Sequence, residues 1–293
     1  MNYRTDLAIE NQELLEEARA KATGYIKKQR QIDEDICVTD IEIISEAGEK
    51  AFGKKKGNYI TIEIQGLLES KDGIKERTVA ALTEELKKLV HFHYYLKVLV
   101  VGLGNEKVTP DSLGPHTVDK VKVTSHLFKI YEADGDFEMS NVSGFNPSVT
   151  GVTGMETAEL IEKVVSLVKP EVAIVVDSLA AKNIERMSTT IQISDTGIEP
   201  GAGMGNRRKS IEQSSLGCKV IAVGVPTVID SKNLIIEAAE NIPSCDNNQV
   251  MDYLNSKEMN MIVTSTDIDE IIKTFSEIIA EAINKTLHPG IYS

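Results

Sequence analysis

The 293-residue chain is expected to fold as an α/β protein: a mostly parallel central sheet with helices on both faces, plus an N-terminal antiparallel elaboration. Two patterns carry that expectation. Residues 98–101, 172–176 and 220–223 are continuous Val/Ile/Leu/Ala runs, the mark of strands buried on both faces, and helical segments separate them near 113–127, 157–168 and 267–283. Ahead of them, Ile36, Val38, Ile41 and Ile43 nearly alternate with polar residues and the stretch 59–64 alternates strictly, so both read as strands with one wet face.

Taken along the chain, residues 7–30 read as a helix because Glu, Ala, Leu and Lys dominate them. The two alternating strands follow, joined by a turn-rich connection over 47–57. Residues 77–91 form a helix with apolar positions at Val79, Leu82, Leu86, Leu89 and Val90. The longest loop-like stretch, 134–147, lies between the first and second of the apolar runs, where such folds bind ligands. No repeat or low-complexity linker divides the chain, which favours one domain.

Composition narrows the function. No apolar run reaches the roughly 18–20 residues of a membrane span, and the N-terminus has no signal-peptide core, so a cytoplasmic location without membrane attachment is expected. A net charge of −13 argues against direct nucleic-acid binding, which needs clustered Lys and Arg. Cys37, Cys218 and Cys245 are odd in number and lack any C-x-x-C pairing, as reduced structural thiols would.

The chemistry concentrates on two aspartates. The run Val98-Leu-Val-Val ends in Gly102-Leu-Gly104-Asn105, and Thr109-Pro-Asp111 follows where a helix should begin; the run 172–176 ends on Asp177. The plainer role for each is a helix cap, Asp177 capping a helix over 178–184. If the two strands are neighbours, however, their ends lie about 5 Å apart and the carboxylates share one site. Like charges raise one pKa and favour a shared proton, the arrangement that activates water against a peptide carbonyl. A divalent metal on the same aspartates is the rival. The five histidines form no ligand pattern, so no metal residue and no cofactor are assigned.

Glycine-rich segments supply candidate substrate loops. Gly102, Gly104 and Asn105 do not make a dinucleotide motif, because Lys107 stands at the third glycine position. Thr153 and Glu156 fit a capping box, while the backbone amides around Gly154 could bind an oxyanion or carboxylate. The stretch from Asp195-Thr-Gly197 to Gly205, with Gly203 between, reads as a flexible substrate-gripping loop, and Arg207 after it would neutralise acidic substrate side chains. The Asp-Thr-Gly triplet also occurs in pepsin-like proteases, but those are all-β, so the match is coincidental.

These residues, taken in series, resemble the germination proteases of endospore-forming bacteria. The motifs are Tyr3-Arg-Thr-Asp-Leu-Ala-Ile-Glu10, Gly102-Leu-Gly-Asn105 with Thr109-Pro-Asp-Ser-Leu-Gly-Pro115, Asp177-Ser-Leu-Ala-Ala181, Ile191-Gln-Ile-Ser-Asp-Thr-Gly197 with Pro200-Gly-Ala-Gly-Met-Gly-Asn206, and Gly224-Val-Pro-Thr-Val228. The resemblance implies a cytoplasmic endopeptidase of the forespore and spore core that degrades small acid-soluble spore proteins during germination. It also implies a fold similar to hydrogenase maturation proteases and essential aspartates at Asp111 and Asp177. Family members are zymogens that remove a short N-terminal segment, and Thr5-Asp-Leu-Ala-Ile-Glu10 imitates their substrate site. Cleavage between Asp6 and Leu7 is therefore expected, with 1–6 as pro-segment and 7–293 as the peptidase domain; Asp6 also stands where it could cap the first helix. A homo-oligomer is expected. Glu199 departs from the family, which usually has His there. The alternatives kept open are a metal-dependent peptidase on the same aspartates and a non-enzymatic peptide-binding protein.

Overall fold

A computed structural model describes residues 3–17, 23–69, 71–131, 138–204, 208–242, 246–257 and 261–292. Its first part contains helix α1 (Ala8–Glu17), strands β1 (Tyr25–Gln31) and β2 (Ile36–Ile43), helix α2 (Glu46–Phe52), strand β3 (Gly57–Ile64) and helix α3 (Ile74–Leu89). Strand β4 (Lys97–Gly102), helices α4 (Leu113–Val118) and α5 (Ser125–Ile130), strand β5 (Asn141–Phe145), and helices α6 (Thr150–Thr153) and α7 (Thr157–Val168) follow. The chain continues through β6 (Val172–Ala181), β7 (Thr190–Ser194), α8 (Gln213–Leu216), β8 (Lys219–Asp230), α9 (Ser231–Glu240), α10 (Asn247–Ser256), β9 (Ile262–Val263) and α11 (Ile268–Leu287).

All described strands join one sheet in the order β1-β2-β3-β7-β8-β6-β4-β5, with β9 paired to β8. The half containing β5, β4, β6 and β8 is parallel, and the rest is antiparallel. The antiparallel elaboration is therefore larger than its parallel partner and continues the same sheet through β7, a strand absent from the elements read above. Alternation sorts the faces. Val172, Ile174 and Val176 of β6 enter a core with Phe275 and Ile279 of α11 and Leu82 and Leu86 of α3. Ala173 and Val175 face the other way, against Ile161 and Val165 of α7. Farther along that second face, Leu7 and Ala8 pack with Leu179, Ala181 and Ile41.

Four local expectations are corrected. The helix over 7–30 ends at Glu17, and Tyr25–Gln31 is an edge strand that pairs along its length with β2. Its Lys, Arg and Gln side chains favour helix intrinsically, but ladder pairing outweighs propensity, and charges suit an exposed edge. The connection 47–57 holds α2, capped by the Ser45 hydroxyl and closed by Gly53 at φ 63°. The helix over 113–127 is two helices, because the Lys122 amide leaves to bond Asn284 Oδ1 and the Thr124 hydroxyl accepts the Val142 amide. No helix follows Asp177: β6 runs on to Ala181, paired throughout with β8.

Candidate active site

β4 and β6 are direct parallel neighbours, the arrangement the carboxylate pair requires. Past Gly102 the chain stays beside β6, the Leu103 amide donating to the Val176 carbonyl at 2.8 Å. A tight turn then folds back. Gly104 sits at φ +109°, and a Cβ there would lie 1.9 Å from the Asp111 carbonyl oxygen. The Asn105 amide donates both to that oxygen and to Asp111 Oδ2, each at 2.9 Å. A single 3₁₀ turn, Thr109–Asp111, carries the aspartate, and the Thr227 hydroxyl anchors it by donating to the Pro110 carbonyl at 2.7 Å. Gly114 lets the start of α4 lie on the strand ends: a Cβ there would fall within 2.6 Å of backbone atoms of Leu103 and Val176. Gly102, Gly104 and Asn105 thus shape the Asp111 turn.

The two carboxylates occupy different surroundings. Asp177 is 6% exposed, and its Oδ1 accepts only the adjacent Ser178 amide at 2.9 Å among the described groups. Burial first, then the charges of Asp111 and Asp6, push its pKa well above the usual carboxylate range. Asp111 keeps partial contact with solvent; burial raises it to about 6, opposed by the Asn105 amide. Both carboxyls are thus shifted upward, Asp111 by burial and Asp177 by burial together with two neighbouring carboxylates.

The N-terminal segment lies beside this pair. The Asp6 amide donates to the Ala180 carbonyl and Asp6 Oδ2 accepts the Ala180 amide, both at 2.9 Å. The carboxyl also accepts the Gly203 amide, and a Cβ on Gly203 would lie 2.2 Å from it. It does not cap α1. Burial raises its pKa, against the opposing pull of the Lys54 ammonium. The Asp6 carbonyl accepts from Lys54 Nζ at 2.8 Å and from Gln192 Nε2 at 3.0 Å, while Gln192 Oε1 accepts the Ala8 amide at 2.7 Å. Leu7 is fully buried. Four residues past Asp6, the Glu10 carboxyl accepts the amides of Lys182 and Asn183 at 2.7 and 2.9 Å. A cavity of about 770 Å³ opens beside the segment, lined among others by Thr5, Asp6, Lys54, Gln192 and Gly224.

Sheet register ties the two groups together. Asp177 on β6 and Gln192 on β7 both pair with Gly224 on the intervening β8. The three form one row across the sheet and point to one face, with no side chain at the centre. Leu179, on the same face, leans over Gly224 and packs with Leu7.

The other candidate residues fall elsewhere. The Thr153 hydroxyl accepts the Met155 amide, and Gly154 closes α6 at φ 72°. The expected capping box does not form: the left-handed Gly154 starts a fresh turn, and Glu156 itself stands at the N-cap of α7 without a side-chain bond there. Asp195 accepts the Asn58 backbone and side-chain nitrogens at 2.8 and 2.7 Å, joining β3 to β7. Gly197, at φ +85°, lets the Ile198–Ile211 bridge close the base of the glycine-rich loop. From that loop Gly203 approaches the Asp6 carboxyl; Gly205 and Arg207 lie outside the described residues. Among the described residues no three His, Cys, Asp or Glu side chains gather as a metal site, and no helix is long and apolar enough to cross a membrane.

Sequence reasoning missed Lys54 and Gln192. Lys54 opens a Lys-Lys-Lys run that looks like any solvated charge cluster. Gln192 did leave a signal: it is a polar residue, 8% exposed, between two fully buried isoleucines of one strand.

Residues 3–242 match a family of proteins described as germination protease. A germination protease of Caldanaerobacter subterraneus subsp. tengcongensis is 41% identical over 313 residues, spanning 99% of this chain and 96% of its own. One from Clostridium perfringens is 37% identical with the same coverage. One from Bacillus cytotoxicus is 41% identical over 251 residues, 82% of this chain and 66% of its own. Among solved structures, a nickel–iron hydrogenase maturation protease from Thermococcus kodakarensis aligns with 68% of this chain and 98% of its own, at 12% identity and a TM-score of 0.33.

Proposed function

The chain belongs to the germination protease family and is a peptidase; from that premise we propose that it is the endopeptidase that starts the degradation of small acid-soluble spore proteins, with Asp111 and Asp177 activating water. The observation that carries this reading is the asymmetry of the pair. Asp111, partly solvated and bonded by an amide, is an anion above pH 6 and accepts a proton from water. Asp177, buried beside a second carboxylate, keeps its proton and delivers it to the leaving amine. Residues 1–6 act as a pro-segment whose removal at Asp6–Leu7 matures the enzyme, and 7–293 form the peptidase domain. The mature protein works as a homo-oligomer in the spore core.

The test is incubation of the purified chain, beside Asp111→Asn and Asp177→Asn, with a small acid-soluble spore protein, fragments and N-termini being read by mass spectrometry. A new N-terminus at Leu7 and substrate cleavage by wild type alone are expected. An Asp111→Asn protein that cleaves at the normal rate sinks the reading.

A further inference from the structure

We propose that Lys54 and Gln192 form the oxyanion site of this peptidase, holding the carbonyl oxygen of the bond to be cut. The proposal rests on the reading above that Asp6–Leu7 is the bond the enzyme cuts in itself. Its own support is geometric. The Asp6 carbonyl does not join a β-ladder; it accepts from two side chains at 2.8 and 3.0 Å, one a lysine ammonium. Both donors come from outside the segment and from different elements: Lys54 directly follows the Gly53 C-cap of α2, and Gln192 stands on β7. Gln192 also accepts the Ala8 amide, so one side chain fixes the backbone on both sides of the Asp6–Leu7 bond.

The bond is also positioned for attack. Gln192, Gly224 and Asp177 stand in one row with side chains on one face, so the Asp177 and Gln192 Cα atoms are about 10 Å apart at two strand spacings. A carboxyl reaching from one side and an amide from the other leave room between them for one peptide unit, above a residue that has no side chain. Burial lowers the pKa of the Lys54 ammonium, opposed by the charges of Asp6, Glu199 and Glu10. An oxyanion in so sheltered a place gains more from a fixed donor than it would in water.

The step balances. Water oxygen bonds to the Asp6 carbonyl carbon while its proton passes to Asp111, and the π electron pair moves onto the carbonyl oxygen between Lys54 Nζ and Gln192 Nε2. The pair then returns, the bond to the Leu7 nitrogen breaks, and Asp177 supplies the proton that makes the new amine. A substrate peptide entering the vacated cleft would place its scissile carbonyl on the same two donors.

Lys54→Met and Gln192→Leu keep length and remove the donors. They are made in a chain beginning at Leu7, so that maturation is not needed, and assayed on a small acid-soluble spore protein beside Asp111→Asn. Each is expected to lower kcat by about 10²-fold or more with KM nearly unchanged, and Lys54→Arg to recover part of the loss. Thermal midpoints are read first; if the Lys54 variants do not fold, kcat of Gln192→Leu decides. Donor variants with kcat within threefold of wild type, while Asp111→Asn is inactive, overturn the oxyanion site and leave the aspartate mechanism standing. Cleavage by Asp111→Asn overturns the aspartate mechanism instead.

Discussion

Replacing Asp111 by Asn should inactivate the enzyme and stabilise it, and the size of the gain follows from one titration. Asp111 has a folded pKa of about 6 against 3.8 for an unperturbed aspartate. Because the folded value is the higher one, the native state binds more protons than the unfolded state between these limits, so stability falls as pH rises through them and levels off above pH 6. The rise is equivalent to about 3 kcal/mol at 1.36 kcal/mol per pKa unit, and partial solvent contact at Asp111 reduces the usable figure to about 1–3 kcal/mol. Asn occupies the same volume, still accepts the Asn105 amide and never ionises. Urea unfolding of wild type and Asp111→Asn at pH 4, 6 and 7.5 measures the gap. It should be near zero at pH 4 and reach the full 1–3 kcal/mol by pH 7.5, in favour of the variant. A gap that stays flat across this range, or favours wild type at pH 7.5, refutes the claim that burial of this carboxylate sets its pKa.

Three further outcomes follow from the same geometry. The acid limb of kcat/KM should fall tenfold per pH unit below about 6, where Asp111 gains its proton; a limb near pH 4 assigns the base to some other group. Exhaustive treatment with a chelator should leave the rate unchanged, and loss of activity restored by one divalent metal would favour a metal centre on the aspartates. Gly114→Ala should cost about 3 kcal/mol or more and abolish activity, because its Cβ would fall within 2.6 Å of backbone on both β4 and β6 strand ends; a wild-type thermal midpoint and rate would contradict that packing.

What the sequence made legible was the part governed by local pattern. Two apolar runs, each followed by an aspartate, announce buried parallel strands, and β4, which precedes the Asp111 turn, neighbours β6, which carries Asp177. Charged β1 was illegible because its strand character comes from β2, not from its own residues. The extension of β6 past Asp177 was illegible for a related reason: Ser178-Leu-Ala-Ala181 has ordinary helix propensity, and only β8 on one side and Asp6 at Ala180 hold it extended. Lys54 and Gln192 lie 138 positions apart in the numbering and meet only at one carbonyl oxygen, a juxtaposition that no spacing rule encodes.

That extension of β6 explains why the two halves of the sheet need each other. The parallel half brings the 3₁₀ turn carrying Asp111, which follows β4, beside Asp177 within the neighbouring β6. Its hold on a peptide is confined to the end of β6, beyond the last β4 pairing at Val176, where Ala180 bonds Asp6. The antiparallel half adds two side-chain donors: Gln192 comes from β7, and Lys54 from the turn after α2. Only at β8, where parallel pairing on one side changes to antiparallel on the other, do both sets face the same space. Gly224 stands at that change, and a larger residue there would collide with Leu179, which would then crowd Leu7. The N-terminal segment bonds to both halves at once, to Ala180 on β6 and Gln192 on β7. A peptide that satisfied only one half would be held without being cut or be near the carboxylates without being held.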